Sequence, residues 1–287
     1  MASCRDRLQA LSAAVGRPTD LSLYQWAELF TMAADFQPDL ILELGRGEGN
    51  STCVFTEAAN RIGSDRCKVV SLCLTESWEK RRPEAIAKVV PPEWFAPLKT
   101  HSGNMLEFDF KSLLAGPSRV LVFWDAHGYD IAELVLGEIL PLLANRKHLI
   151  LMHDLSDARY SGPEGGSYGG QRLWRGNDWS GPRVRLGNID SAVGQAVAIV
   201  DFTSRNKVTL HSADESIRTE LWSDPKKIEE LRELLGSDFV SEQAHWFWFT
   251  LNESTGPFTF PRFVPPEPVP PEPVPESAPQ SVPQPQR

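Results

Sequence analysis

Four side chains capable of acid–base chemistry follow two apolar segments of the chain. Asp125 and His127 come after one segment, and His153 and Asp154 come after the other. Carboxylate and imidazole groups transfer protons, and histidine does so near neutral pH without any perturbation of its pKa. Their oxygen and nitrogen atoms also suit Mg²⁺ or another divalent cation. We therefore expect catalytic roles for these four residues, with helix capping or strand-end pairing as the structural alternative.

A glycine-rich turn lies earlier in the chain, at residues 43–49, where three glycines alternate with other residues. Glycine has no Cβ, so the backbone can bend tightly and approach a ligand closely. The helix that follows would direct free N–H groups at the same ligand. The turn therefore predicts a nucleoside-binding site, with a plain tight turn as the alternative. The candidate cofactor-binding residues here are Glu43, Gly45, Gly47, Gly49, Asn50 and Ser51.

The residues of this turn discriminate among three nucleoside-binding motifs. A Walker loop ends in Gly-Lys-Ser/Thr, and no lysine follows Gly49. A dinucleotide loop has the pattern Gly-x-Gly-x-x-Gly, and residue 50 is asparagine. The carboxylates of Glu43 and Glu48 would repel a pyrophosphate but attract a sulfonium cation that also carries an ammonium group. This charge argument favours S-adenosylmethionine over NAD or ATP.

Alternating apolar segments place these candidate residues in a sheet flanked by helices. Short apolar runs predict strands, and longer stretches with apolar residues at helical spacing predict helices. The predicted strands are 39–44, 68–74, 119–124, 148–152, 195–200 and 245–251; the predicted helices are 21–35, 50–62 (capped by Asn50 or Ser51), 130–144 and 224–236. This alternation indicates an α/β fold, Rossmann-like and doubly wound, with a mostly parallel sheet and helices on both faces. The glycine turn and the acid–base residues would then share the carboxyl edge of the sheet.

Composition divides the chain into an N-terminal helical segment (1–37), an α/β domain (38–256) and a tail (257–287). The tail carries ten prolines between Val264 and Arg287, where the unit Pro-Pro-Glu-Pro-Val-Pro is repeated. Such a segment cannot bury a core, so we expect it to be disordered, and docking to a proline-recognition module is the alternative to simple solvation. Residues 155–194 are rich in glycine and aromatic residues, which predicts a lid over the site or else surface aromatics.

The charge of the chain and its cysteine spacing argue against several classes of function. The formal net charge is −9 and the pI is about 5.3, and the basic clusters are short, so no nucleic-acid partner is expected. No apolar run approaches the ~18–20 residues that cross a bilayer, so no membrane partner is expected. The four cysteines lack Cys-x-x-Cys spacing, which predicts reduced thiols in a cytoplasmic protein. A small-molecule acceptor is the expected partner, and a homo-oligomer is a further expectation.

Three segments together resemble one enzyme family. Residues 39–52 look like motif I of the class I S-adenosylmethionine-dependent methyltransferases, and are especially similar to the branch with Glu-x-Gly-x-Gly-x-Ser-Thr. Residues 122–129 and 149–154 resemble the same branch, in which strand four ends in Asp and strand five ends in His-Asp. The resemblance covers about residues 20 to 155. It implies a seven-stranded sheet of order 3-2-1-4-5-7-6 with strand 7 antiparallel.

The resemblance also implies roles for individual residues. Asn104 matches the polar residue that meets the adenine, and Asp125 belongs to the cofactor site as well as to the reaction centre. The family usually has an acidic residue at the end of strand two, where this chain has Cys73, and Glu76 is the candidate substitute. The candidate metal ligands are Asp125, His153 and Asp154, because metal-dependent O-methyltransferases place their ligands at these strand ends.

The expected activity is S-adenosylmethionine-dependent methyl transfer, as O-methylation of a small hydroxylated acceptor. In a divalent-metal-assisted form, Mg²⁺ or a similar ion would hold the hydroxyl and lower its pKa, and a histidine would act as the base. Two alternatives remain open. One is a non-methylating relative on the same fold, such as a metal-dependent hydroxylase-like tailoring enzyme; the other is a catalytically inactive scaffold that presents the tail.

Overall fold

The structure, a computed structural model, describes residues 4–17, 20–153, 191–241 and 246–264. Its centre is one seven-stranded sheet of order β3-β2-β1-β4-β5-β7-β6. The strands are β1 (Leu40–Leu44), β2 (Lys68–Cys73), β3 (Leu98–Ser102), β4 (Arg119–Trp124), β5 (Lys147–His153), β6 (His211–Ser212) and β7 (Trp246–Phe249). The first five strands are parallel, and β7 runs antiparallel to both β5 and β6. The expected fold class, strand order and antiparallel strand 7 are confirmed.

Helices cover both faces of this sheet. They are α1 (Arg5–Val15), α2 (Leu23–Phe36), α3 (Asn50–Ile62), α4 (Ser77–Ile86), α5 (Phe110–Leu113), α6 (Tyr129–Leu134), α7 (Leu140–Leu143), α8 (Ser191–Asn206), α9 (Ala213–Ser216) and α10 (Pro225–Leu235). Short 3₁₀ turns lie at Pro92–Phe95, Met105–Glu107, Ser237–Phe239 and Leu251–Glu253, and π-helical turns at Val135–Ile139 and Ile217–Leu221. No helix within the described ranges is long and apolar enough to span a bilayer.

The central strands are buried on both faces, which explains their continuous apolar sequences. Ile41 and Phe123 belong to a hydrophobic cluster that includes residues of α1, α2 and α3. Leu42 and Val122 point to the opposite face, into a cluster that includes residues of α6, α7 and α8. The sheet is therefore held rigidly from both sides, and its carboxyl edge is a fixed platform for side chains.

Two local expectations about elements differ from the structure. Residues 195–200 form part of helix α8 and not a strand, because the buried positions Ala198, Ile199 and Phe202 follow helical spacing. The sixth strand is instead the two-residue β6. Helix α3 begins after Gly49, whose left-handed φ of 95° makes it the N-cap in place of Asn50 or Ser51.

Residues 257–264, which composition groups with the tail, pack against the body of the protein. Phe258, Phe260 and Phe263 lie against the cluster around α6–α8. Asn206 holds the backbone of Thr259 by accepting from its N–H and donating to its carbonyl, at 2.7 and 3.0 Å. A Cβ on Gly137 would lie 2.7 Å from the carbonyl oxygen of Pro261, so glycine is required at this crossing.

The buried imidazole of His148 connects β5 to the chain that leaves β7. Its Nδ1 lies 3.0 Å from the Arg146 carbonyl, and its Nε2 accepts from the Leu251 N–H at 3.0 Å. An Nδ1–H that donates to the carbonyl and an unprotonated Nε2 satisfy both contacts. Burial lowers the pKa of His148 below its ordinary value of 6.5, although the hydrogen bond to the Arg146 backbone acts in the opposite direction.

We predict that His148 makes the protein less stable in mild acid. The unfolded chain protonates this imidazole at a higher pH than the folded chain does, so stability is complete above about pH 6.5 and falls as the pH drops below that value. Urea unfolding at several pH values between 5 and 8 measures the effect. The variant His148→Gln, which cannot be protonated, should lose part of this pH dependence; an unchanged dependence would contradict the prediction.

Candidate active site

The glycine turn and the acid–base residues meet at the carboxyl edge of the sheet. The N–H of Asp125 donates to the Leu44 carbonyl at 2.8 Å, where β4 ends beside β1. A Cβ built on Gly45 would lie 2.6 Å from the carbonyl carbon and oxygen of Asp125. The turn after β1 therefore touches the backbone of the residue that ends β4, and only glycine allows this approach.

The three glycines of the turn have different surroundings. Gly45 packs on the backbone of Asp125, and Gly49 packs on the indole of Trp78, which would lie 2.2 Å from an added Cβ. Gly47 has a φ of +51°, and no described atom lies within 4 Å of the position of its Cβ. Two of the glycines are thus explained by internal packing, and Gly47 is the one that leaves space for a ligand.

Glu43 lies beneath the turn and not on its surface. Its side chain is fully buried and accepts hydrogen bonds from Thr52 Oγ1 at 2.7 Å and from Ser71 Oγ. Burial raises the pKa of Glu43, and the hydroxyls of Ser51, Ser71 and Thr52 act to lower it. This carboxyl group joins β1, β2 and the first turn of α3, so its immediate role is to hold the turn in place.

Glu48 is surrounded by arginines. Arg82 donates to it from Nε at 2.9 Å and from a second guanidinium nitrogen, while Arg81 and Arg17 lie 3.2 and 3.8 Å away. Burial acts to raise the pKa of Glu48, but the hydrogen bond and the charges of these arginines outweigh it, so the pKa is lowered. The expectation that Glu43 and Glu48 repel a pyrophosphate is therefore wrong, because Glu43 is buried and the charge of Glu48 is neutralised by arginines.

We predict that Arg82 stabilises the glycine turn more than its neighbour Arg81 does. Arg82 is mostly buried, at 15% side-chain exposure, and also donates to the Val15 carbonyl at 2.7 Å, whereas Arg81 is 57% exposed. Arg82→Met should lower the free energy of unfolding by about 2 kcal/mol, between the values for surface and for buried ion pairs. The matched variant Arg81→Met should cost less than about 1 kcal/mol. Equal losses in denaturant unfolding would refute this assignment.

Arg46, in the middle of the turn, joins the ends of the next two strands. Its buried guanidinium donates to the Ser71 carbonyl at 2.8 Å, to Ser102 Oγ at 3.0 Å and to Glu79 at 2.7 Å. No pattern in the sequence singles out this arginine, because its partners lie 25 to 56 residues further along the chain.

Glu76 and Asn104, the residues expected at the ribose and the adenine, make contacts within the protein. Glu76 is 61% exposed and pairs with Lys80 on the surface of α4, at 2.8 Å. Glu79, one helical turn later, is the carboxylate that contacts Arg46 of the turn and the hydroxyls of Ser102 and Thr100 in β3. Asn104 is exposed and caps the turn Met105–Glu107 by accepting from the Leu106 N–H at 3.1 Å.

Asp125 is the centre of the acid–base group. Its Oδ1 lies 3.1 Å from Nδ1 of His153 and 3.8 Å from Nε2 of His127. Both imidazoles are largely buried, and the Asp125 side chain is 25% exposed. The convergence of these three residues, expected from the sequence, is present in the structure. Asp154 lies outside the described residues.

Residues of α2 and β7 surround His153 on its other side. The ring of His153 packs on that of Trp246 at a centroid distance of 4.5 Å, and Nε2 lies 3.5 Å from Nε2 of Gln25. Trp246 in turn donates to Glu28 at 2.9 Å. Gln25 was not among the residues expected at the site. Ser22 and Gln25 have the spacing of a helix capping box, but this local pattern does not reveal that Gln25 lies beside His153, 128 residues later.

The expected metal site is only partly within the described chain. Among the described residues, no three His, Cys, Asp or Glu side chains form a group that could hold a metal ion. Asp125 and His153 are hydrogen-bonded to each other, and the third expected ligand, Asp154, lies outside the described ranges. The predicted lid at 155–194 also lies outside them, except for residues 191–194, which begin α8.

Neither a protein-family model nor a curated protein matches the sequence. The fold is similar to solved structures of methyltransferases. The O-methyltransferase TomG from Streptomyces achromogenes, in complex with SAM, is 19% identical, with 70% of this chain and 81% of that chain covered and a TM-score of 0.46. An O-methyltransferase from Bacillus cereus in complex with SAH is 15% identical (73% and 82% covered, TM-score 0.45), and an SAH-bound methyltransferase from Podospora anserina is 15% identical (71% and 83% covered, TM-score 0.42).

Proposed function

We propose that the protein is an S-adenosylmethionine-dependent methyltransferase that methylates a hydroxyl group of a small acceptor. The observation that carries the proposal is the direct contact between the glycine turn and Asp125 at the carboxyl edge of the sheet. Ligands of open α/β sheets bind at this edge. A nucleoside held on the turn would therefore have its reactive end beside a carboxylate and two imidazoles.

Several features of the turn fit a nucleoside cofactor. Gly47 leaves open space at a backbone position with positive φ. Within the described part of the chain, the buried atoms Arg46 Nε and Asn50 Oδ1 have no hydrogen-bond partner, and a polar ligand would supply one. Leu74, which directly follows β2, is 72% exposed and offers an apolar surface for a base. Glu79 is better placed than Glu76 to meet ribose hydroxyls.

The sheet order favours S-adenosylmethionine over NAD, whereas the carboxylates of the turn do not discriminate between the two cofactors. Dinucleotide-binding sheets commonly have the order 3-2-1-4-5-6. Here an antiparallel β7 lies between β5 and β6, in the order that the resemblance to methyltransferases implied. The Gly-x-Gly-x-x-Gly pattern of a dinucleotide loop is also missing at residue 50.

The residues at the edge would position the acceptor and take its proton. S-adenosylmethionine, when bound, supplies an activated methyl group, so the protein mainly has to align the acceptor hydroxyl. Asp125, held between His127 and His153, would accept a hydrogen bond from the hydroxyl and direct it. The imidazole–carboxylate group would receive the proton. A divalent cation would require Asp154 as a further ligand, and metal assistance stays a second hypothesis.

Calorimetric titration and a methyl-transfer assay test this proposal. The purified protein should bind S-adenosylmethionine more tightly than NAD and should transfer a labelled methyl group to a member of a panel of phenols, sugars and polyketides. Assays with and without added Mg²⁺ and a chelator decide whether a cation takes part. Absence of binding at millimolar cofactor would overturn the proposal in favour of a scaffold, and metal-dependent oxidation without methyl transfer would favour a tailoring hydroxylase.

Four further expectations from the sequence stay predictions. They are the cytoplasmic location, the homo-oligomer, the docking of the proline-rich tail and the lid formed by the insert. Size-exclusion chromatography with light scattering tests the homo-oligomer directly, since a monomer mass at micromolar concentration would contradict it.

A further inference from the structure

The side chain of Gln25 joins the N-terminal cap of α2 to the imidazole of His153. Its Oε1 accepts from the Ser22 N–H at 2.9 Å, and the Ser22 hydroxyl accepts from the Gln25 N–H at 3.3 Å. These two bonds form a reciprocal capping box. The same side chain, 6% exposed, places Nε2 at 3.5 Å from Nε2 of His153.

The capping box determines which end of the Gln25 amide faces the histidine. A backbone N–H can only donate, so the atom that contacts Ser22 N–H must be the amide oxygen. The NH₂ group of Gln25 is then directed at His153. The usual ambiguity between oxygen and nitrogen in a glutamine side chain is removed here by the helix cap.

The orientation of this amide selects one tautomer of His153. The NH₂ group is a donor, so Nε2 of the ring must be an unprotonated acceptor to interact favourably with it. In a neutral imidazole the proton is then on Nδ1, which lies 3.1 Å from Oδ1 of Asp125. An Nδ1–H facing a carboxylate is the favourable arrangement, so both contacts require the same tautomer.

We propose that Gln25 is a positioning residue that holds His153 in the Nδ1-protonated tautomer, donating to Asp125. The packing of Trp246 on the ring, itself fixed by Glu28, supports the same ring orientation. His153 thereby fixes the Asp125 carboxylate that the proposed methyl transfer would use, and this functional part of the inference rests on the proposed function. The tautomer itself does not depend on it.

The ¹⁵N resonances of the histidine side chains in the full-length protein test the tautomer. In the wild-type protein near neutral pH, His153 should show a protonated Nδ1 and an unprotonated Nε2, with the variant His153→Asn used for assignment. Gln25→Glu keeps an oxygen for the Ser22 N–H but places a second oxygen against the ring. It should move the proton to Nε2, or protonate both nitrogens, without changing the tautomer of His148.

Ser22→Ala is the matched control, because it removes the hydroxyl of the cap but keeps the backbone N–H that orients the Gln25 amide. It should raise the ratio of unfolded to folded protein by about fivefold, the usual effect of a lost N-cap, and leave the His153 tautomer unchanged. A protonated Nε2 in the wild-type protein would overturn the proposal even if Gln25→Glu does not fold. An unchanged His153 tautomer in a folded Gln25→Glu protein would do the same.

The spectroscopic result and the enzymatic result can fail separately. If the protein transfers no methyl group, the tautomer can still be read, and only the proposed function is lost. If methyl transfer is found, Gln25→Glu should lower kcat by about tenfold or more. The KM for the cofactor should stay within about twofold of wild type, which is the usual deviation for sites that do not interact. A rise in that KM alone would contradict a positioning role.

Discussion

Asp125→Asn should lower the kcat of methyl transfer by about 10²- to 10⁴-fold, the usual contribution of a positioned acid–base group. Asparagine has nearly the same shape as aspartate and can still accept from Nδ1 of His153, so the fold at the end of β4 should survive. The negative charge that orients the hydroxyl and stabilises a protonated imidazole is lost. Steady-state kinetics, with the unfolding midpoint measured in parallel, check this expectation.

Asp109→Asn provides the matched control for the loss of charge. Asp109 caps α5 by accepting from the Ser112 N–H at 2.9 Å, and asparagine caps a helix about equally well. This variant should keep wild-type kinetics and stability. If Asp125→Asn retains more than about one tenth of the wild-type kcat, its role is structural, since acid–base catalysis is worth more than that.

Gly45→Ala and Gly47→Ala should separate stability from cofactor binding. At Gly45 the new Cβ would lie 2.6 Å from the backbone of Asp125, at a φ of +98°. We expect a loss of about 3 kcal/mol or more, from overpacking and left-handed strain together. At Gly47 the space is open, so the cost should be only the strain, about 1 kcal/mol.

For cofactor binding we expect the opposite order, with the larger loss of affinity in Gly47→Ala. In Gly47→Ala the methyl group would occupy space proposed for the cofactor, and a steric cost of about 1–3 kcal/mol corresponds to about 5- to 150-fold weaker binding. Gly236→Ala is the control, since Gly236 also has positive φ (+95°) and open surroundings but ends α10, away from the turn. It should lose at least as much stability, because its φ of 95° and ψ of 153° are adopted almost only by glycine, and it should lose no affinity. Unchanged titration curves for Gly47→Ala would remove Gly47 from the proposed site.

The parts of the fold that could be predicted from sequence are those whose signal is local. Strands β1, β2, β4 and β5 are buried on both faces and read as apolar runs. Strand β3, at the edge of the sheet, has the sequence Leu-Lys-Thr-His-Ser, and three of its five residues are exposed, so it carries no such signal. Residues 195–200 of helix α8 were predicted as a strand, because an apolar stretch this short does not distinguish the period of a helix from that of a strand.

The part of the candidate site that could be predicted is the part formed by residues at the ends of strands. Asp125, His127 and His153 follow neighbouring parallel strands, and parallel strands bring their carboxyl ends together. Charge pairing was not predictable in the same way. The partners of Glu48 include Arg82, 34 residues later, and its neutralisation depends on how α4 packs against the turn. The sequence shows that Glu48 is acidic, but it does not show which arginines pair with it in the fold.

The contacts of α2 with the end of β5 bear on how sequences of this kind can diverge. Residues 22 and 25 set the cap that faces residue 153, and Glu28 holds the indole of Trp246 against the same ring. A substitution at any one of these positions therefore changes which residue types the other positions tolerate without a loss of stability or function. Recombination that replaces the N-terminal part with α2 but keeps the sheet would therefore disturb the contacts around residue 153, even where every strand and helix is preserved.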